Sequence, residues 1–157
     1  MDALTLFHVA LSLVGILAGL VVVFGLIVSH HVGRWTLVFL VTTVLTSLTG
    51  FLFPFHGPTP AIVLGVLSLI ALAAAIAGRY AFHFAGPWRW IYVIGAVVAL
   101  YFNVFVLIVQ SFVKVPALHA LAPGNPPSGP VFGVVQAIVL AAFVFAGYRA
   151  VRQIRPG

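Results

Sequence analysis

The 157 residues are 64% hydrophobic and 5% charged, with seven Lys plus Arg against one acidic residue and no cysteine. A soluble domain carries charge on roughly a quarter of its positions, so this balance describes a membrane protein. The basic residues are scattered among apolar runs and form no stripe for a phosphate backbone, which sets nucleic-acid binding aside. Disulfides and thiolate chemistry are excluded, as are paired-carboxylate catalysis and carboxylate proton relays, because Asp2 is the only acid.

The chain opens on MDALTLFH, which lacks the Lys or Arg of a secretory leader and runs into an apolar stretch longer than a leader's. It is therefore expected to be a retained span. Five stretches, 4–28, 36–55, 61–78, 91–113 and 131–148, approach the about twenty apolar residues that cross roughly 30 Å of hydrocarbon. Lipid offers no partner to open backbone groups, so each is predicted to be a helix. The expected fold is all-α: a single-domain integral membrane bundle of five transmembrane helices.

In the first span His8, Ser12, Gly15 and Gly19 fall on one stripe. Gly15 and Gly19 form a GxxxG, whose simplest use is close helix packing. The second span places Thr42, Thr46 and Thr49 on one side, with Thr43, Ser47 and Gly50 beside them. Hydroxyls there can bond back to the carbonyl four residues earlier, so the run needs no ligand. The connection HGPTP predicts a tight antiparallel hairpin into the third span, whose Gly65, Ser68, Ala71 and Ala75 make a close-packing face. In the fourth span Tyr92, Ala96, Ala99, Asn103, Gln110 and Lys114 recur at spacings of four, three, four, seven and four. That small-and-polar face is expected to point into the bundle or a wet cavity, since polar side chains facing lipid are costly. A long Pro-rich connection, 114–130, follows, in which PALHAL suits a short interfacial turn of helix. The fifth span offers Gly133, Gln136, Ala137 and Ala141 for packing.

Basic residues resist translocation. Arg34, Arg79, Arg89, Arg149, Arg152 and Arg155 fall on one side of this threading and Lys114 on the other, which predicts the N-terminus outside and the C-terminus in the cytoplasm. Trp35, Tyr80, Trp88, Trp90 and Tyr148 then form an aromatic belt at the cytoplasmic edge, and Phe51, Phe53 and Phe55 crowd the outer one. The same arginines suit contacts with anionic lipids.

Measured from the outer edge, His8, Thr49, Gln110 and Gln136 are expected at one level, one or two turns inside, at about 1.5 Å per residue. We expect an outward polar pocket built from His8, Ser12, Thr49, Asn103, Gln110, Lys114 and Gln136, lidded by residues 115–130. The competing reading is that span ends are generally more polar than span centres. His8, His56 and His119 share the outer side, and imidazole ligates haem iron, copper or zinc, although their spacing carries no signature and solvated histidines are the plainer account. A quinone is the other ligand such a pocket suits, with an apolar slot for ring and tail and a few donors to its carbonyls.

The segments FHVALSLVGILAG, FLFPFHG, GRYAFHFAGPWRWIYV and ALYFNVFVLIVQSFVKVPALHALAP resemble a group of small five-span bacterial inner-membrane proteins with no assigned activity. The resemblance implies a prokaryotic cytoplasmic membrane and transfers no functional residue. Two functions are consistent with the sequence. One is a membrane accessory or interaction subunit, associating with itself or with other membrane subunits. The other is a redox or ligand-binding protein holding a quinone, haem or metal.

Overall fold

The computed structural model describes residues 2–30, 32–53 and 60–154. Among these residues the structure is all-α, without a strand. In chain order it runs α1 (Ala3–Ile27), α2 (Gly33–Gly50), α3 (Pro60–Ile76), a π-helical turn (Ala77–Ala81), α4 (Trp88–Lys114), α5 (Pro116–Leu121) and α6 (Pro130–Gln153). Four helical stretches, α1, Ile62–Ala81, α4 and α6, are long and apolar enough to cross a membrane. α2 is shorter, at 18 residues, and less apolar because it carries Arg34 and the threonine run.

Asp2 starts α1: its carboxylate accepts from the Thr5 N–H at 2.8 Å, satisfying one of the first-turn donors that a helix cannot satisfy itself. The helix ends where the His30 N–H reaches back to the Gly25 carbonyl at 2.7 Å, with Ser29 left-handed at φ 58°. A Cβ on Gly25 would lie 2.6 Å from the His30 carbonyl oxygen, so the turn into α2 requires glycine there.

α1 and α2 form an antiparallel hairpin. Gly15 and Gly19 are buried; Gly15 faces the hydroxyls of Thr42 and Thr43, and Gly19 faces Phe39 of α2 and Leu100 of α4. The GxxxG is thus a packing face, as small residues permit when lipid supplies no hydrophobic drive for association. Three of the threonines can satisfy themselves as expected, Thr42, Thr46 and Thr49 lying 2.6, 2.7 and 2.8 Å from the carbonyls of Val38, Thr42 and Leu45, whereas the Thr43 hydroxyl is buried without a partner.

α3 and α4 are also antiparallel, approaching backbone to backbone where Gly95 meets the Ala71 carbonyl and Gly78 meets the Trp88 carbonyl. Between them the chain passes through the π turn and then His83 and Phe84, both left-handed at φ 49° and 62°. Such conformations cost about 1–3 kcal/mol each in non-glycine residues. Ring stacking offsets part of this, Phe82 lying 4.1 Å from Trp88 and Phe84 5.0 Å from Tyr92 between centroids. α6 runs antiparallel to α4 through the ring pairs Phe112–Phe132 and Tyr101–Phe143, each 5.5 Å apart. It lies parallel to α1, whose end it meets where Ser29 donates to the Gln153 Oε1 at 3.0 Å.

The core is lopsided. In α1 the buried residues run only from Gly15 to Leu26, in α4 from Tyr92 to Leu100 with Phe112 beyond, and in α6 they are Gln136 and Ala150. The half of the bundle around the α1 carboxyl end is closed; the half around its amino end is covered only in part. Of the four long apolar stretches α6 is the most exposed, with Ile138 and Val144 each 64% exposed, a surface suited to lipid or another protein rather than water.

PALHAL is helical as expected. α2 begins three residues before the predicted boundary, and α4 and α6 run past theirs. The extra residues include tryptophans, arginines, a lysine and a glutamine, which continue a helix through the interface while their polar tips stay wet, so the apolar pattern alone stops short. The expected HGPTP hairpin and His56, and likewise His31 and Arg155, lie outside the described residues.

Candidate functional site

The residues expected to form the polar pocket gather toward the amino end of α1 without converging on one point. His8 Nδ1 lies 2.8 Å from Thr49 Oγ1, tying α1 to α2. The Thr49 hydroxyl also lies 2.8 Å from the Leu45 carbonyl and 3.1 Å from the Thr46 carbonyl, and which way the His8–Thr49 bond runs depends on the imidazole tautomer. The His8 ring stands edge-on to Phe53 at 5.2 Å and is half-buried. Ser12, one turn further on, is also half-buried.

α4 brings the other members to the same end. The Gly19–Leu100 contact, followed along two antiparallel helices, sets Gln110 level with His8. Gln136 of α6 is buried, and its Nε2 donates to the Phe105 carbonyl over a long 3.4 Å, leaving Oε1 buried without a partner. Asn103 Nδ2 is likewise buried and unpartnered. An orphaned buried amide atom costs about 1–3 kcal/mol, so these two groups have unspent bonding capacity. Among the described residues no hydrogen bond joins His8 to Asn103, Gln110 or Gln136.

The α4 face, expected to point into the bundle or a wet cavity, is buried in the bundle from Tyr92 to Ala99, while Asn103 is half-covered and Gln110 and Lys114 are exposed. The reason is geometric: the small residues that let α1 and α3 close onto α4 lie opposite Gly95 to Leu100, and nothing equivalent covers the remainder of the face. His119 on α5 is exposed, its Nδ1 donating to the Phe112 carbonyl at 3.3 Å. Among the described residues no three of His, Cys, Asp and Glu stand close enough to hold a metal ion.

Two grooves lie elsewhere. One of about 610 Å³ runs along α6 past Ala137, Ala141, Val144 and Phe145. The other, of about 360 Å³, lies between α4 and α6 and is lined by residues that include Val97, Tyr101, Phe143 and Gly147. Both are apolar, and neither includes an expected pocket residue.

Sequence reasoning missed the opposite end of the bundle, where Arg79 lies among Tyr80, Phe84 and Tyr92 and Arg89 lies 4.6 Å from the Trp90 ring. The signal was present in GRYAFHFAGPWRW, whose arginines are flanked by rings, but they were read only for topology and for contact with anionic lipids. Chemically, the amino end can donate to and accept from an uncharged polar group, and its one carboxylate, Asp2, is exposed and engaged in capping α1. No family model, curated protein or solved structure matches the chain.

Proposed function

We propose that the chain is an integral membrane interaction subunit, crossing five times with its N-terminus outside, its C-terminus in the cytoplasm and α2 as the fifth span, in a prokaryotic inner membrane. The observation that carries the reading is Gln110, exposed on α4 one turn short of Lys114 in a helix otherwise long and apolar enough to span. An amide on a lipid-facing surface is unfavourable, and a neighbouring subunit's helix relieves it with an interhelical hydrogen bond. The exposed Gly133, Ala137 and Ala141 on α6 support the same reading, since small residues admit a partner helix closely. A photo-cross-linking residue at Gln110 in native membranes is expected to capture a protein-sized adduct, whereas one at the exposed Leu17 captures lipid. Lipid-sized adducts at both positions would sink the reading.

A second reading rests on His8, whose Nδ1 is paired with the Thr49 hydroxyl while Nε2 makes no hydrogen bond among the described residues. A quinone-class ligand or a haem at the amino end would use it, with Gln110 as donor. The visible spectrum and metal content of protein purified in mild detergent test this directly. Gln110→Leu and His8→Ala are expected to remove such a ligand without loss of expression, and its retention in both variants excludes the site.

A further inference from the structure

At the end of the bundle away from His8, a positively charged constellation has no side-chain counter-ion. Arg79 projects from the π turn, and its Nη2 lies 3.5 Å from the position a Cβ on Gly33, the first residue of α2, would take. Its guanidinium carbon stands 5.5, 5.7 and 5.8 Å from the ring centroids of Tyr80, Phe84 and Tyr92. These distances are at the outer limit of useful cation–π attraction, so the rings hold the guanidinium in place without neutralising it. Nε is buried with no acceptor. The Tyr92 hydroxyl interacts with Arg79 and Thr36, neither of which carries negative charge.

The group that Arg79 faces is itself positive. The first turn of α2 has no side-chain cap and no acidic residue, Thr36 commits its hydroxyl to the Val32 carbonyl at 3.0 Å, and Arg34 follows immediately. The first-turn N–H groups carry the positive end of the helix dipole, so a guanidinium parked beside them is repelled unless an anion lies between. The only acidic side chain, Asp2, caps the far end of α1. The chain nevertheless bends through a π turn and two left-handed residues to set Phe84 against Tyr92 beside Arg79, and such outliers collect at ligand clamps.

We propose that Arg79 and the first turn of α2 bind a phosphate group, from an anionic lipid headgroup or from free phosphate. A planar guanidinium fork matches phosphate oxygens, a helix N-terminus receives them through backbone N–H groups, and Gly33 has no side chain to block the approach. The site lies at the end rich in Trp35, Tyr80, Trp88 and Trp90, the aromatic setting of a bilayer interface. It stands apart from Gln110, so its test is independent of the cross-linking experiment.

The test is thermal unfolding in an uncharged detergent, titrating phosphatidylglycerol, a neutral glycolipid or inorganic phosphate. Phosphatidylglycerol is expected to raise Tm by on the order of 5 °C at a hundred times its Kd, and the glycolipid to leave it unchanged. An equal rise with inorganic phosphate alone assigns the site to free phosphate; a rise with the lipid only assigns it to the headgroup. Arg79→Gln is expected to abolish the rise and Arg79→Lys, which keeps the charge and loses the fork, to weaken the apparent affinity severalfold. Ser111→Ala, at the opposite end of the bundle where the Ser111 hydroxyl donates to the Leu107 carbonyl of its own helix, keeps it in full. A rise that survives in Arg79→Lys at unchanged affinity, or that the glycolipid reproduces, overturns the proposal, and the lysine variant decides alone if the glutamine variant does not fold.

Discussion

Gly95→Ala tests the closed half of the bundle most directly. The added Cβ would lie 2.5 Å from the Ala71 carbonyl oxygen, 3.2 Å from the Ala75 nitrogen and 3.3 Å from the Ala75 Cβ. Ordinary contact begins near 3.4 Å. Two of the three neighbours are backbone, so α3 and α4 have to part by about 0.9 Å or tilt. Overpacking of this kind costs about 1–3 kcal/mol, and replacing glycine inside a helix returns up to about 1 kcal/mol of propensity. The net expectation is a loss of about 1–2 kcal/mol and a fall in Tm on the order of 2–8 °C, followed by near-UV circular dichroism in detergent. Two companion variants make the scale internal. At Gly19 a Cβ meets the Leu100 Cδ1 at 2.7 Å and the Phe39 Cδ1 at 2.9 Å; these side-chain tips can yield, so Gly19→Ala is expected to cost less. Gly133 has no neighbour within 4 Å, so Gly133→Ala keeps only the propensity gain and is neutral or stabilising. If Gly95→Ala proves as stable as Gly133→Ala, the backbone-to-backbone packing of α3 on α4 is wrong.

Thr43→Val is expected to leave stability unchanged or raise it by about 1 kcal/mol in urea or thermal unfolding, because the Thr43 hydroxyl is buried beside Gly15 without a partner and valine has nearly the same shape; a loss above about 1 kcal/mol would show that the hydroxyl is bonded. The Thr5 hydroxyl, and after it the Thr5 N–H, hold the Asp2 carboxyl below the usual carboxylate range. With the folded pKa depressed, the cap stabilises above the unfolded pKa and is lost as pH falls through the folded one, so amide exchange at Thr5 should accelerate only at strongly acidic pH, and Asp2→Ala should abolish that dependence. Amide exchange at neutral pH in detergent is expected to be faster across His8 to Val14 than across Gly15 to Leu26, since only the latter segment contributes buried residues. Gln136→Leu should alter the stability of the isolated chain by less than about 1 kcal/mol, its bond to Phe105 being long and its Oε1 unpartnered; a larger loss in thermal unfolding would make Gln136 an interhelical tie.

The helices were legible because bilayer thickness imposes a length and lipid imposes a backbone solution, and both leave a compositional trace. Gly15 and Gly19 could be read as a packing stripe, and Thr42, Thr46 and Thr49 as self-satisfied, because each inference needs only spacing along one helix. The polar line of α4 exposed the limit of that method. Periodicity places Tyr92, Ala99, Asn103 and Gln110 on one face, but it does not say how far along the helix its neighbours remain in contact. That depends on Gly95 against Ala71 and Gly19 against Leu100, contacts between spans that a single-helix pattern does not encode. The enclosure of Arg79 was missed for a related reason: its surroundings come from α2, the π turn and α4 together, whereas the sequence displays it only as a loop charge suited to anionic lipid.

The lopsided core also bears on which functional reading is stronger. Helices in lipid associate through close contact and polar bonds, so a bundle closes where small residues face each other and stays open where they do not. Here they meet at Gly15, Gly19, Gly78 and Gly95, toward the α1 carboxyl end, while the exposed small residues of α6, Gly133, Ala137 and Ala141, face away from the bundle. At the amino end, where α6 begins, the chain leaves Gln110 exposed and Asn103 and Gln136 underbonded. A sealed ligand site needs small or shaped residues closing around it from several helices; at this end Gly50 meets the His8 ring and Gly65 meets Phe51, but Gly133 of α6 meets nothing within 4 Å. A partner helix needs the opposite, an exposed narrow face with a few amides nearby, and α4 and α6 offer both. That asymmetry favours the interaction subunit over the enclosed pocket, and it makes Gln110 the residue at which the two readings part.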